Sequence, residues 1–167
     1  MILLIDGYNI IGIAHKDRQA KRNWLISRLI DYKAKTLHDI TVVFDGWRNG
    51  FYESRDVIGG VKIIYSGYGE KADDVIFRII SNERRKRIVV TSDREIAAFA
   101  WEKDCIPISS EKFEQKLSNG HIENRTCCDN DYDDDDDDAE IKRKKQRGNP
   151  RKSSKKDALI KKALEKL

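Results

Sequence analysis

The chain has 167 residues, of which 39% are hydrophobic and 37% charged, with a formal net charge of +4. That is enough apolar material for one core of ordinary domain size, plus a surplus of charged chain that a single core does not use. Cys105, Cys127 and Cys128 are too few and too poorly spaced for a disulfide framework or a zinc site, and no apolar run approaches bilayer length. A reduced, cytoplasmic setting is expected, without export or membrane insertion.

Ile2-Leu3-Leu4-Ile5 is a continuous apolar run, the pattern of a strand buried on both faces, and it ends on Asp6-Gly7. From about Asp17 to Leu37, apolar side chains at Trp24, Leu25, Leu29, Tyr32 and Leu37 predict a helix with Trp24 in the core. Ile40 to Phe44 is a second buried strand, again closed by an acid and a glycine, Asp45-Gly46. Residues 47–60, polar and glycine-bearing, read as an irregular loop. Val61 to Tyr65 is a third strand, and a helix follows from about Ala72 to Asn82 with Asp73 and Asp74 in its first turn. Ile88 to Thr91 is a fourth strand. Ser92-Asp93-Arg94-Glu95 reads as a capping box with Ser92 as N-cap. Cys105 to Ile108 is a fifth strand, placed at an edge by Pro107, and Ser109 or Ser110 opens a last helix to about Leu117.

Strands alternating with helices predict an α/β fold with a mostly parallel central sheet covered on both faces. Its globular part spans 1–119. An acidic linker at 120–140 follows, in which Asp129 to Glu140 holds nine acids and no base and is expected to be disordered. The basic tail at 141–167, with twelve bases against two acids, is expected to seek a polyanion and to be helical when bound.

Every singled-out acid falls at the carboxyl end of a strand, where open parallel sheets bind ligands. Asp6 follows the first strand, Asp45 the second, Asp73 and Asp74 the third, and Asp93 the fourth. Carboxylates gathered on one rim repel unless protonated or offset by cations, and oxygen donors without His or Cys suit Mg²⁺ or Mn²⁺. Such an ion activates water and neutralises charge on a phosphodiester. Asn9 is placed to orient a carboxylate or a water. Asp45-Gly46 reads equally well as a plain turn. Arg48 and Lys71, with Trp47 and Tyr68 in glycine-flanked loops, supply the cations and rings that hold single-stranded nucleic acid. Tyr65, inside a strand, reads as core. No Walker lysine or dinucleotide fingerprint accompanies the glycines, and His15, His38 and His121 read as surface residues.

Leu4-Ile5-Asp6-Gly7-Tyr8-Asn9-Ile10-Ile11-Gly12, Val43-Phe44-Asp45-Gly46, Ala72-Asp73-Asp74-Val75-Ile76 and Val90-Thr91-Ser92-Asp93-Arg94 follow the order and spacing of YacP-like NYN-domain proteins. The chain resembles this PIN-like nuclease group over about Met1 to Leu117, and Gly148 to Lys152 looks like the basic end of the same family. The resemblance implies a PIN-like three-layer α/β/α sandwich and a Mg²⁺- or Mn²⁺-dependent endoribonuclease, with bacterial members that act on messenger RNA at the ribosome. By position, Asp6, Asp73, Asp74 and Asp93 would be the metal-site acids and Asn9 a supporting polar residue. Lys71 stands where the family pattern leads one to expect a small polar residue. The rival reading is an RNA- or ribosome-binding protein that keeps the fold without cleaving; a DNA-directed or phosphatase-like activity on the same acids is a third.

Overall fold

The computed structural model describes residues 1–12, 18–46, 52–82, 85–119 and 155–167. In chain order the elements are β1 (Ile2–Asp6), α1 (Gly7–Ile11), α2 (Arg18–Thr36), β2 (Asp39–Phe44), β3 (Ser54–Ile58), β4 (Val61–Tyr65), α3 (Ala72–Asn82), β5 (Ile88–Val90), α4 (Arg94–Glu102), β6 (Ile106–Ile108), α5 (Ser110–Asn119) and α6 (Lys155–Glu165). Six strands form one sheet in the order β3-β4-β2-β1-β5-β6. All neighbours are parallel except the β3–β4 pair.

The continuous apolar runs are buried on both faces because successive side chains alternate between two cores. Leu3, Ile5, Val42, Phe44 and Ile63 face α1, α2, α5 and α6, whereas Leu4, Val43 and Ile64 face α3 and α4. The result is the expected three-layer α/β/α sandwich with a mostly parallel sheet. Pro107, which lacks an N–H, lies in β6 at the sheet edge.

The expected loop before Val61 contains a strand. β3 runs antiparallel to β4, with Ile58 paired to Val61 across Gly59-Gly60, and both glycines have positive φ (55° and 79°) as a two-residue hairpin turn requires. Ser54-Arg55-Asp56-Val57-Ile58 escapes a periodicity search because four of its five residues are exposed at an edge. Trp24 is not a core residue: 44% of its surface is exposed, and the Arg28 guanidinium lies 5.4 Å from its ring centroid.

The tail also departs from expectation. Its last helix, α6, packs beside β6 on the α2 face, with Ala163 buried in the same core as Leu29 and Phe113. Leu164 and Leu167 pack against that core, and the Tyr32 hydroxyl donates to the Leu167 carbonyl at 2.6 Å. Of the apolar residues spaced by four along this segment, Ala163 and Leu167 thus lie against the domain and Leu159 is 45% exposed, with the lysines of α6 outward. The acidic run at 129–140 lies outside the described residues.

Chain direction changes at β1. The chain adds β2 and then β4 on one side, crosses through α3, and places β5 on the other side of β1. This topological switch point, outside the carboxyl ends of β1 and β5, is where an open α/β sheet leaves a crevice.

Candidate active site

Asp6 is the last residue of β1 and the N-cap of α1. Its carboxylate accepts the Asn9 backbone N–H at 3.3 Å and the Asn9 Nδ2 at 2.6 Å. The same Asn9 amide donates to Thr91 Oγ1 at 3.0 Å, just past the end of β5. Asn9 therefore spans the switch point and fixes the Asp6 carboxylate against the neighbouring strand. Asp6 is only 4% exposed. Burial raises its pKa to about 6, Asn9 opposes the rise through its hydrogen bonds, and the charges of Asp73 and Asp45 add to it.

Asp45, after β2, reaches across to α3, where its Oδ1 accepts the Ala72 N–H at 2.6 Å. Asp74 turns back to accept the Lys71 N–H at 3.1 Å. These two bonds explain why Lys71 is tolerated before the helix. Its side chain has no acceptor for an orphan N–H, and an aspartate from another strand provides one. Gly46 lets the chain after β2 pass close to Ser66, because a Cβ there would overlap the Ser66 carbonyl.

Asp73 projects from the same first turn and is half-buried. Burial raises its pKa, the charges of Asp93, Asp45 and Asp74 raise it further, and Lys71 opposes them. Asp93 is the N-cap of α4, accepting the N–H groups of Glu95 (2.6 Å) and Ile96 (3.2 Å), so the cap is one residue later than Ser92. Thr91 Oγ1 in turn accepts the Asp93 N–H at 3.1 Å.

Asp6, Asp45, Asp73 and Asp93 thus form one electrostatic neighbourhood centred on Asp73. Asp74 stands at its exposed margin, occupied in a helix cap. Lys71 is exposed on the same rim, and Tyr68, 72% exposed, stands in the adjoining turn. Trp47 and Arg48 lie outside the described residues. Thr91 is a further polar residue of the site, accepting from both Asn9 and Asp93. Its place in the Thr91-Ser92-Asp93 motif was the available signal.

Among the described residues, no three His, Cys, Asp or Glu side chains stand together so as to hold a metal ion by themselves. The donor chemistry nonetheless fits a hydrated hard cation. Mg²⁺ takes one or two carboxylates and otherwise water or phosphate oxygen, and mutually repelling oxygens with raised proton affinity favour a cation. Asp6 and Asp73 are the acids whose pKa values carry this repulsion.

The sequence matches the YacP-like NYN domain over residues 3–167. The chain belongs to this family. It is 32% identical over 102 residues to an uncharacterized protein YacP of Bacillus subtilis (strain 168), covering 55% of this chain and 60% of that one. The chain therefore matches about three fifths of the length of this curated relative. Its fold is similar to the crystal structures of Rae1 (YacP) from Bacillus subtilis and of a point mutant of it. Both give a TM-score of 0.56 at 24% identity and cover 71% of this chain, with 74% and 75% of the other chains covered. At that identity the likeness is one of fold. The YacP-like NYN fold is of the PIN-like nuclease type, and the acids at its strand ends lie where that architecture opens. No described helix is long and apolar enough to cross a membrane.

Proposed function

We propose that this YacP-like NYN protein is a divalent-metal-dependent endoribonuclease that cuts single-stranded RNA. The observation that carries the reading is the gathering of Asp6, Asp45, Asp73 and Asp93 around the switch point, with Asp6 buried and held by Asn9. A protein that only bound a polyanion would gain nothing from a negative rim.

Asp6 and Asp73 would hold the ion, with Asp74 and Asp93 as further acids of the site. When bound, Mg²⁺ or Mn²⁺ supplies charge neutralisation at the phosphodiester and lowers the pKa of a water. Asn9 fixes the Asp6 carboxylate in its acceptor orientation and keeps it from rotating toward solvent. Asp45 fixes the first turn of α3 and so the position of Asp73. Tyr68 offers an exposed ring for a base and Lys71 a cation for a phosphate. In-line attack by water leaves a 5′-phosphate product. Messenger RNA is the proposed substrate, the cytoplasm the proposed setting, and the ribosome a proposed partner. The exposed lysines 155, 156, 161 and 166 on and beside α6 support a polyanionic partner.

The test is incubation of the purified full chain with single-stranded RNA, duplex RNA and DNA, with Mn²⁺ and with chelator. Metal-dependent cuts in single-stranded RNA that vanish in Asp6→Asn, with the fold intact, support the reading. Full activity in Asp6→Asn overturns the mechanism. RNA binding without cuts supports instead the non-catalytic binding protein, a reading favoured by the caps that occupy Asp74 and Asp93.

A further inference from the structure

The strand ends divide two unlike lips. Acids stand on the α3 and α4 side, and on the α2 side a run of rings leads to a guanidinium. Tyr8, two residues after Asp6, meets Phe44 edge-on at 5.7 Å, and Phe44 stacks on Tyr65 at 5.8 Å. The Arg22 guanidinium lies 5.7 Å from the Tyr65 ring centroid. Tyr65 is paired with Phe44 at the carboxyl ends of β4 and β2, so Arg22 sits beside the rim that carries Asp45. Arg22, Asp56 and Tyr8 are the groups whose charge reaches the Tyr65 phenol.

Fold stability does not account for Arg22. Its Nη2 donates to Gln19 Oε1 at 2.9 Å, but it makes no ion pair among the described residues. Its Nε is shut from solvent with no acceptor among them, a desolvation cost left uncompensated. It also lies near the start of α2, a helix with no acid in its first turn and with Arg18 and Lys21 as neighbours. Lys21 donates to the Ile11 carbonyl at 3.3 Å and ties this turn to α1, the helix that Asp6 caps.

We propose that Arg22, backed by Tyr65 and Tyr8, binds a backbone phosphate of the RNA strand on the α2 side of the strand ends. The inference rests on the RNA-directed reading above and adds a second contact to it, across the rim from Asp73. With Nε enclosed and Nη2 on Gln19, the Nη1 corner of the guanidinium is the part that would meet a phosphate oxygen, and its place against a ring means that little freedom is lost on binding. It would hold the strand close to a rim that would otherwise repel it.

The experiment is fluorescence anisotropy of a labelled single-stranded oligoribonucleotide with the full chain, in chelator, over a series of KCl concentrations. Arg22→Gln should bind about tenfold more weakly at low salt, with a salt slope smaller by about 0.7, the value for one phosphate on a single strand. Arg22→Lys should recover the slope but not the whole affinity, because it lacks the planar stack. Thermal melts confirm that each variant is folded. Unchanged affinity and slope in folded Arg22→Gln overturn the proposal, as does failure of the unaltered chain to bind RNA. Because the readout is binding without metal, loss of the nuclease reading through absent Mn²⁺-dependent cuts leaves this test intact.

Discussion

Asn9 Nδ2 donates to Asp6 Oδ2 at 2.6 Å, and the same amide donates to Thr91 Oγ1 at 3.0 Å, which links the ends of β1 and β5 through one side chain. The buried carboxylate of Asp6 is thereby given a fixed orientation where the sheet changes direction. Asn9→Ala removes both bonds and leaves Asp6 short of a donor. The expected cost is about 1.5–3 kcal/mol, since one bond is to an ionisable acceptor, measured by urea unfolding at pH 7. The Asp6 carboxyl should also titrate higher than in the unaltered chain by NMR, because the Asn9 bonds hold its pKa down. A lower Asp6 pKa in the variant would contradict this account.

Asp6 also sets a pH dependence whose sign follows from burial. Its pKa rises from 3.8 to about 6 on folding. The folded chain binds this proton more tightly than the unfolded one, so the stabilising contribution is complete below about pH 4 and is lost as pH rises through 6. By linkage the loss is about 3 kcal/mol by pH 7.5. Asp6→Asn cannot ionise. In chelator, the stability difference between variant and unaltered chain should therefore shift in the variant's favour between pH 4 and pH 7.5, as urea melts will show.

Metal should reverse that penalty. Adding Mn²⁺ or Mg²⁺ at pH 7.5 at about a hundred times its dissociation constant is expected to stabilise the unaltered chain by about 2.7 kcal/mol. Asp6→Asn and Asp73→Asn should show a much smaller rise in Tm. An equal rise in all three proteins would place the ion elsewhere.

Asp45 acts through α3. Asp45→Ala leaves the Ala72 N–H without its acceptor and should cost about 1 kcal/mol, as loss of a helix cap does. Cleavage should fall with it, because Asp73 lies in the freed turn. Asp45→Asn keeps an acceptor oxygen and should retain most of both. Hydrogen exchange at the start of α3 separates the outcomes: faster exchange in Asp45→Ala only is expected.

The seat of α6 can be loosened without touching the rim. Tyr32→Phe removes the hydroxyl that donates to the Leu167 carbonyl and should cost about 1 kcal/mol. Ala163→Asp places a charge in the core that α6 shares with α2 and should cost about 3 kcal/mol or more. Both changes should speed hydrogen exchange over 155–167. Ala163→Asp with unaltered exchange there would mean that the helix is not held by this core.

The layers and the rim are legible in the residue pattern. Unbroken apolar runs such as Leu3-Leu4-Ile5 have to be buried on both faces, and that requires helices above and below a parallel sheet. Acids that follow those runs at Asp6, Asp45, Asp73 and Asp93 must then gather at one edge, whatever the strand order. What each acid does there follows from contacts between distant segments of the chain. Asn9 and Thr91 are 82 residues apart, and Asp45 and Ala72 27 apart, so no local pattern announces their bonds. β3 was illegible because an edge strand in solvent has no apolar alternation to display. The docking of α6 was hidden for a related reason. Its lysines dominate the composition, while its seat depends on Ala163, Leu164 and Leu167 reaching a core built from distant segments.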